Sequence, residues 1–136
     1  MSQVSYDEDG FVRGFPYHDG ELNGILTGVK GDAYIAFASS QGEARVLRLC
    51  GLKALHVGNF LQGNIILDMR VYPAARARGD AEIERRLMER LFLGVSSLSD
   101  DALVFVLDSS YGADVIAVCQ GLEVFEGRLS LVRSYE

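Results

Sequence analysis

The chain has 136 residues and a mass of 14.9 kDa, which is enough to bury a core without disulfides or metals. Apolar residues make up 49% and charged residues 24%, and this composition excludes a disordered chain. The net charge of −6 repels nucleic-acid phosphates and anionic membrane surfaces, so we expect neither as a partner.

The first 14 residues are acidic and polar and include the run Asp7-Glu8-Asp9-Gly10. We expect residues 1–14 to be a mobile or loosely docked lead-in to a single domain that spans residues 1–136. The segment lacks a basic stretch followed by an apolar core, so it does not predict a signal peptide. No apolar run is long enough to cross a bilayer. These features favour a cytoplasmic location.

Period-two alternation predicts a series of strands in the first half of the chain, over residues 21–30, 33–39, 44–50, 52–57 and 64–72. The loops between them are short and contain glycine, whereas a parallel crossover needs about a dozen residues or more. We therefore expect antiparallel neighbours. Residues 33–39 should pair with residues 44–50. Residues 52–57 should pair with residues 64–72 as a hairpin near the middle of the sheet, with one apolar face formed by Ile65, Leu67, Met69 and Val71.

Residues 80–94 are predicted to form the one clear helix. An apolar stripe recurs along it at four-residue steps, formed by Ile83, Leu87 and Leu91 with Met88 beside them. Asp80 suits the N-cap, and Gly94 suits the turn after the last helical residue. Glutamates and arginines at i,i+4 spacing support the same segment. The preceding residues 74–79 are predicted to be a polar connector.

The last part of the chain predicts further strands over residues 102–107, 114–120, 122–125 and 129–134. Residues 108–112 are predicted to be a loop. Residues 114–120 also fit a helical stripe, but their β-branched side chains favour a strand. The expected fold class is α+β, with a mainly antiparallel sheet of about seven or eight strands and one amphipathic helix packed on it.

Cys50 and Cys119 each lie in an apolar stretch, and we expect both to be buried, reduced thiols. A disulfide that joins two predicted strands stays an alternative. Neither residue belongs to a CxxC pair, which leaves a redox or zinc site without local support. The sequence therefore predicts no cofactor and no metal.

Three short motifs carry a resemblance to known proteins: Tyr17-His18-Asp19-Gly20, Gly63-Asn64-Ile65-Ile66 and Ser109-Ser110-Tyr111-Gly112. They resemble elements of small uncharacterised bacterial proteins, some of which are similar to immunity proteins of contact-dependent toxin systems. Immunity proteins bind and block a toxin, and the resemblance implies a bacterial cytoplasmic binding protein. It implies no catalytic residue.

The candidates for catalysis are His18, Asp19, His56 and Asp68. A histidine titrates near neutrality and can serve as a general base. Adjacent side chains on an extended chain point in opposite directions, so Asp19 more simply forms a turn with Gly20 than orients His18. A small-molecule-binding or hydrolase-like enzyme, with a cleft between sheet and helix near His18 or His56, stays an alternative function. A concave pocket that holds His18, His56 and Asp68 together would favour it.

The candidates for binding are an amide-rich loop, with Asn59, Gln62 and Asn64, and an arginine-rich segment, with Arg70, Arg76 and Arg78. Amides can bind a ligand through paired donors and acceptors, although they also suit turns. Residues 51–90 contain seven basic and five acidic side chains. Arg76 and Arg78 have no carboxylate at helical spacing behind them, and Arg70 lies on the polar face of its strand beside Asp68. We expect free guanidinium groups at these positions that border a surface for an acidic protein partner. A structural homodimer subunit with an exposed apolar sheet edge is a further alternative.

Overall fold

Alternating apolar and polar side chains build one large antiparallel sheet in this protein. The computed structural model describes residues 2–130. The strands in chain order are β1 (Ser2–Gln3), β2 (Ser5–Tyr6), β3 (Val12–Arg13), β4 (Glu21–Val29), β5 (Asp32–Ala38), β6 (Ala44–Cys50), β7 (Ala54–Gly58), β8 (Asn64–Pro73), β9 (Leu103–Tyr111), β10 (Asp114–Cys119) and β11 (Gly121–Glu126). Nine of them form the main sheet in the order β1-β11-β6-β5-β4-β8-β9-β10-β7, and β2 pairs with β3. The α+β class with a mainly antiparallel sheet is confirmed.

The sheet folds over on itself through a kinked two-stranded ribbon. One half of the ribbon is β6 paired with β11, and the other half is β7 paired with β10. At the kink, Lys53 donates its backbone N–H to Val118 over 2.8 Å and Gln120 donates to Cys50 over 2.8 Å. Gly51 adopts φ 59° there, a conformation that favours glycine. Inward faces from both halves consequently share one core, which includes Leu22, Ile35, Phe37, Leu47, Ile66, Met69, Phe105 and Val115.

Helical segments cover the outer face of β8, β9 and β10. They are α1 (Ala74–Arg78), α2 (Ala81–Arg86), a π-helical turn that extends α2 (Leu87–Leu91) and a 3-10 turn (Val95–Ser97). Asp80 caps α2 by accepting the Ile83 N–H over 3.1 Å. Ile83 and Leu87 are buried against the outer side chains of the sheet. The predicted helix is confirmed in its start and in the packing of Ile83, Leu87 and Leu91, whereas Met88 is exposed.

Two boundaries of the helical region differ from expectation. The helix ends at Leu91, and Phe92 rather than a glycine takes the left-handed cap conformation at φ 55°. Residues 74–79 are not a polar connector, because 74–78 form α1 with Ala74 and Ala77 buried. The alanines favour a helix and are small enough to pack closely on the sheet.

The predicted pairings are half correct. Residues 33–39 and 44–50 form the expected antiparallel pair, β5 with β6. The hairpin between residues 52–57 and 64–72 is wrong, because β7 pairs with β10 whereas β8 pairs with β9 and, at its start, β4. Alternation of apolar and polar residues specifies which face of a strand is buried, but it does not specify which strand pairs with it.

Strand β8 also departs from strict alternation. Its register against β9 shifts on both sides of Ile66, so Ile66 is fully buried whereas Leu67 is 42% exposed. The shift explains why the predicted apolar face through Leu67 is wrong. A β-bulge inserts one residue into a strand and changes which side chains face the core.

The C-terminal strands and the N-terminal lead-in test the other structural predictions. The loop predicted for residues 108–112 is largely strand, since β9 continues to Tyr111, while residues 114–119 form the expected strand. The lead-in is docked on the sheet, with Val4 and Val12 buried. Residues 131–134 of the last predicted strand lie outside the described residues. No helix within residues 2–130 combines the length and apolar character that crossing a membrane requires.

Candidate functional site

A cleft of about 290 Å³ lies between the long helix, residues 81–91, and the sheet edge at β7. Its volume is at the lower limit of typical ligand pockets, which start at about 300 Å³. The cleft unites two residues predicted from the sequence, His56 and Asn59, with three arginines of the helix. Its lining consists of His56, Gly58, Asn59, Arg85, Arg86, Arg90, Asp108, Asp114, Val115 and Ile116.

The sheet positions the first side of the cleft. His56 is opposite Ile116 in the regular ladder between β7 and β10. Asn59 follows directly after β7 and turns the chain away with a left-handed φ of 59°, a conformation that asparagine tolerates better than most residues. Both polar side chains are therefore placed by backbone geometry at the edge of the sheet.

Ion pairs hold the side chains of two of the three arginines on the helix side of the cleft. Arg86 contacts Asp108 over 2.7 Å and Glu82 over 3.0 Å. Arg85 contacts Glu82 and Glu89, each over 2.6 Å. Hydrogen bonds from Arg85 and then Arg86 lower the pKa of Glu82 to about 2. These two guanidinium groups are therefore neutralised locally.

Arg90 differs from its two neighbours. Its side chain is exposed, and no hydrogen bond or ion pair to it is present within residues 2–130. It lies one helical turn beyond Arg86 on the same side of the helix, because residues four apart are neighbours. Among the described residues that line the cleft, Arg90 is thus the arginine without an ion pair.

The last helical turn also exposes two large apolar side chains. Met88 is 54% exposed and Phe92 is 85% exposed. A left-handed conformation costs a residue with a Cβ roughly 1–2 kcal/mol, and Phe92 buries little of its ring in return. We name Met88, Arg90 and Phe92 the helix-end surface.

The candidates for catalysis lie in two separate places. His18 and Asp68 line an open groove with aromatic residues of the N-terminal segment, whereas His56 lies in the cleft. His18 donates from Nδ1 to the Leu67 carbonyl oxygen over 2.6 Å. Its Nε2 atom is 3.6 Å from Asp19 Oδ2, beyond hydrogen-bond distance. Asp19 adopts φ 60° in the turn, and this brings it nearer to His18 than extended geometry predicts.

The Asp68 carboxylate is paired with Arg70 rather than isolated. Burial raises its pKa, while Arg70 acts in the opposite direction. Asp68 Oδ1 and Arg70 Nε are 3.5 Å apart, and both atoms are buried without a hydrogen-bond partner within residues 2–130. The pair therefore interacts through charge alone.

The three arginines expected to be free are all engaged. Arg70 contacts Asp108 over 2.9 Å and lies over the Phe11 and Tyr72 rings. Arg76 donates to the Glu8 carbonyl oxygen, and Arg78 contacts Asp100 over 3.1 Å. The expectation of free guanidinium groups at these positions is wrong, because partners from distant segments replace the missing helical neighbours.

The three candidate binding residues of the amide-rich loop differ in how deeply they are buried. Asn64 is 1% exposed, accepts the Leu61 N–H over 2.8 Å and the Ala113 N–H over 2.9 Å, and donates to the Leu61 carbonyl oxygen over 2.6 Å. It stabilises the loop, and its side chain is not available to a ligand. Gln62 lies in a shallow groove with Phe60 and Leu61, and Asn59 lies in the cleft.

Sequence reasoning missed the helix-end surface. It assigned Met88 to the apolar stripe and the helix arginines to local pairing, which holds for Arg85 and Arg86. Phe92 was the available indication, since it is a large apolar residue one position beyond the last residue of the stripe, Leu91.

Comparisons of the chain with protein-family models, with curated proteins and with solved structures gave no match. Within the described part of the chain, no group of three or more histidine, cysteine, aspartate or glutamate side chains could hold a metal ion. The fold and site define an α+β protein with a large antiparallel sheet and a cleft where the long helix meets the sheet edge.

Proposed function

We propose that this protein binds another protein through the helix-end surface, and that the partner presents an acidic surface. An inhibitor or immunity protein of the bacterial cytoplasm is the class that we favour. The observation that carries the proposal is Phe92, which is 85% exposed in a left-handed conformation. Strained residues and exposed aromatic residues both concentrate at functional surfaces.

The chemistry of the three side chains supports this function. Aromatic residues, methionine and arginine are enriched in protein interfaces. Phe92 would supply an apolar anchor, and Met88 can adapt its flexible side chain to the surface around that anchor. Arg90 would pair with a carboxylate of the partner and speed association through long-range attraction.

The cytoplasmic setting belongs to the same proposal. Cys50 and Cys119 are both free thiols, and free thiols are typical of reducing compartments. The hydrolase-like alternative expected a cleft between sheet and helix near His18 or His56, and His56 lines such a cleft. His18 and Asp68, which would favour catalysis if they clustered with His56, line a separate groove. Because that cluster is not formed, we favour binding over catalysis.

Affinity capture with the immobilised full chain tests the proposal. Wild-type protein and the variants Arg90→Glu and Phe92→Ser would be exposed to extract of the source organism. Arg128→Glu is the matched charge control, because Arg128 is also exposed and has no hydrogen bond or ion pair among the described residues. Leu67→Ser is the matched apolar control, because Leu67 is 42% exposed away from the helix.

The proposal predicts a protein that is retained by wild type and by both controls and is reduced about tenfold by either helix-end variant. Association of the purified partner should slow in Arg90→Glu, and the difference should shrink at high salt because screening grows. Equal retention by wild type and both helix-end variants would contradict the proposal.

A further inference from the structure

Strand β7 (Ala54–Gly58) is an open edge of the main sheet. It pairs with β10 on one side, and no other strand within residues 2–130 pairs with it. Its ladder is regular, without a register shift, and its sequence ALHVG contains no charge and no proline. Natural proteins usually protect an edge with charges, prolines or bulges, because unpaired backbone groups form a template for another strand.

The opposite edge of the sheet is different. It is formed by β1, which has only two residues (Ser2–Gln3). A strand that short offers little to a pairing segment, and shortness is itself a form of edge protection. The edge that can accept a strand is therefore β7, which lies beside the π-helical turn of the long helix.

We propose that the partner adds an extended acidic segment to the free edge of β7 and places one of its carboxylates against Arg90. This inference rests on the proposed protein-binding function and specifies how the partner is recognised. Backbone hydrogen bonds to β7 supply affinity in strand addition, and side-chain contacts supply specificity. The cleft beside β7 supplies those contacts.

The geometry brings the carboxylate within reach. A side chain directly opposite His56 on an added strand would have its Cβ roughly 4.5–5.5 Å from the His56 Cβ. His56 and Arg90 line the same cleft. A glutamate or aspartate at that position of the added strand therefore extends toward the guanidinium that has no carboxylate of its own among the described residues.

Charge selects a separate acidic segment over a second copy of this chain. Residues 54–58 contain no acidic side chain that could reach Arg90 in an antiparallel β7–β7 pair. An acidic segment from another protein supplies the carboxylate that a second copy of β7 lacks.

Selection from a random displayed-peptide library on the immobilised full chain tests the inference without a known partner. Enriched peptides should alternate apolar residues and contain an acidic residue. They should shift the backbone amide resonances of residues 54–58 in ¹⁵N-labelled protein. Arg90→Glu should weaken peptide binding about tenfold, whereas Arg128→Glu should leave it unchanged. N-methylation of alternate peptide amides should abolish binding in one of the two methylation registers, because one set faces β7.

Three results would overturn the inference. They are enriched peptides without acidic residues, peptides that bind equally well in both N-methylated forms, and a library that yields no enriched peptide. Self-association with amide shifts confined to β7 would assign the edge to a second copy and would also overturn it. The two claims can fail separately. If a captured protein requires Arg90 and Phe92 but leaves the exchange of the 54–58 amides unchanged, the proposed binding function stands and strand addition is wrong. If retention does not depend on Arg90 or Phe92, the proposed binding function is wrong.

Discussion

Arg86 donates a hydrogen bond from Nη1 to Asp108 Oδ1 over 2.7 Å, and this contact joins the long helix to strand β9. The other oxygen of Asp108 accepts from Arg70 on β8 over 2.9 Å. One carboxylate thus connects the helix and two strands. The position of the helix over the sheet, and with it the position of Arg90 in the cleft, depends on this junction.

Replacement of Asp108 by asparagine should destabilise the protein. The amide keeps the shape of the side chain but leaves two guanidinium groups without their shared charge, and we expect a loss of about 2 kcal/mol in the free energy of unfolding. Urea unfolding measures it. Asp100→Asn is the control, because Asp100 is 96% exposed in its pair with Arg78 and such pairs contribute less than about 1 kcal/mol. Equal midpoints for the two variants would contradict the role of the junction.

Glu82 should titrate well below an ordinary glutamate. Hydrogen bonds from Arg85 and Arg86 lower its pKa from 4.5 to about 2. Because the folded-state pKa lies below the unfolded value, these contacts stabilise the fold above pH 4.5 and lose their effect as the pH falls toward 2. A carboxyl-detected NMR titration should give a midpoint near 2 in wild type and a higher midpoint in Arg85→Gln. A wild-type midpoint at 4.5 would show that the pairs do not persist in solution.

Leu87→Ala should cost about 2–5 kcal/mol of unfolding free energy. The Leu87 side chain is fully buried between the helix and the outer face of the sheet, and its truncation leaves a cavity. Met88→Ala is the neighbouring control, since Met88 is 54% exposed and should change stability little. Chemical denaturation of both variants checks this. If Leu87→Ala has the wild-type midpoint, the helix does not pack on the sheet as described.

Both cysteines should react slowly with thiol reagents in the folded protein. Cys119 is buried as expected, whereas Cys50 is only half-buried. Partial burial, together with a hydrogen bond to Glu123, raises the pKa of Cys50 to about 11, and burial raises the pKa of Cys119 to about 12. The thiolate is the reactive form and is scarce near neutral pH. Labelling at pH 8 should be slow until denaturant is added. Fast labelling of either residue in native protein would contradict the burial, and a disulfide in the intact mass would contradict the free thiols.

Local patterns predicted those parts of the fold that depend on local physics. The hairpin of β5 and β6 follows from alternation on either side of a short loop. The helix start follows from Asp80, and the pairs of Glu82 with Arg86 and of Arg85 with Glu89 follow from i,i+4 spacing. Each of these features involves residues that are close in the chain.

The features that were mispredicted or missed depend on distant segments. Strand β7 pairs with β10 rather than with β8. The alternation of side chains around residue 56 fits either partner strand equally well. Asp108 could not be identified as the anchor of the helix, because its segment was expected to be a loop. Long-range contacts also engage Arg70, Arg76 and Arg78, whereas Arg90, beside an exposed Phe92, has no ion pair within residues 2–130.

The most direct test of the helix-end surface is Phe92→Gly, measured for both stability and partner retention. Glycine adopts φ 55° without the Cβ penalty, so the free energy of unfolding should rise by about 1 kcal/mol or stay unchanged. Retention of the captured protein should fall about tenfold, because the apolar anchor is lost. A variant that is at least as stable as wild type and binds poorly is the result that we predict. Unchanged retention by such a variant would contradict the account.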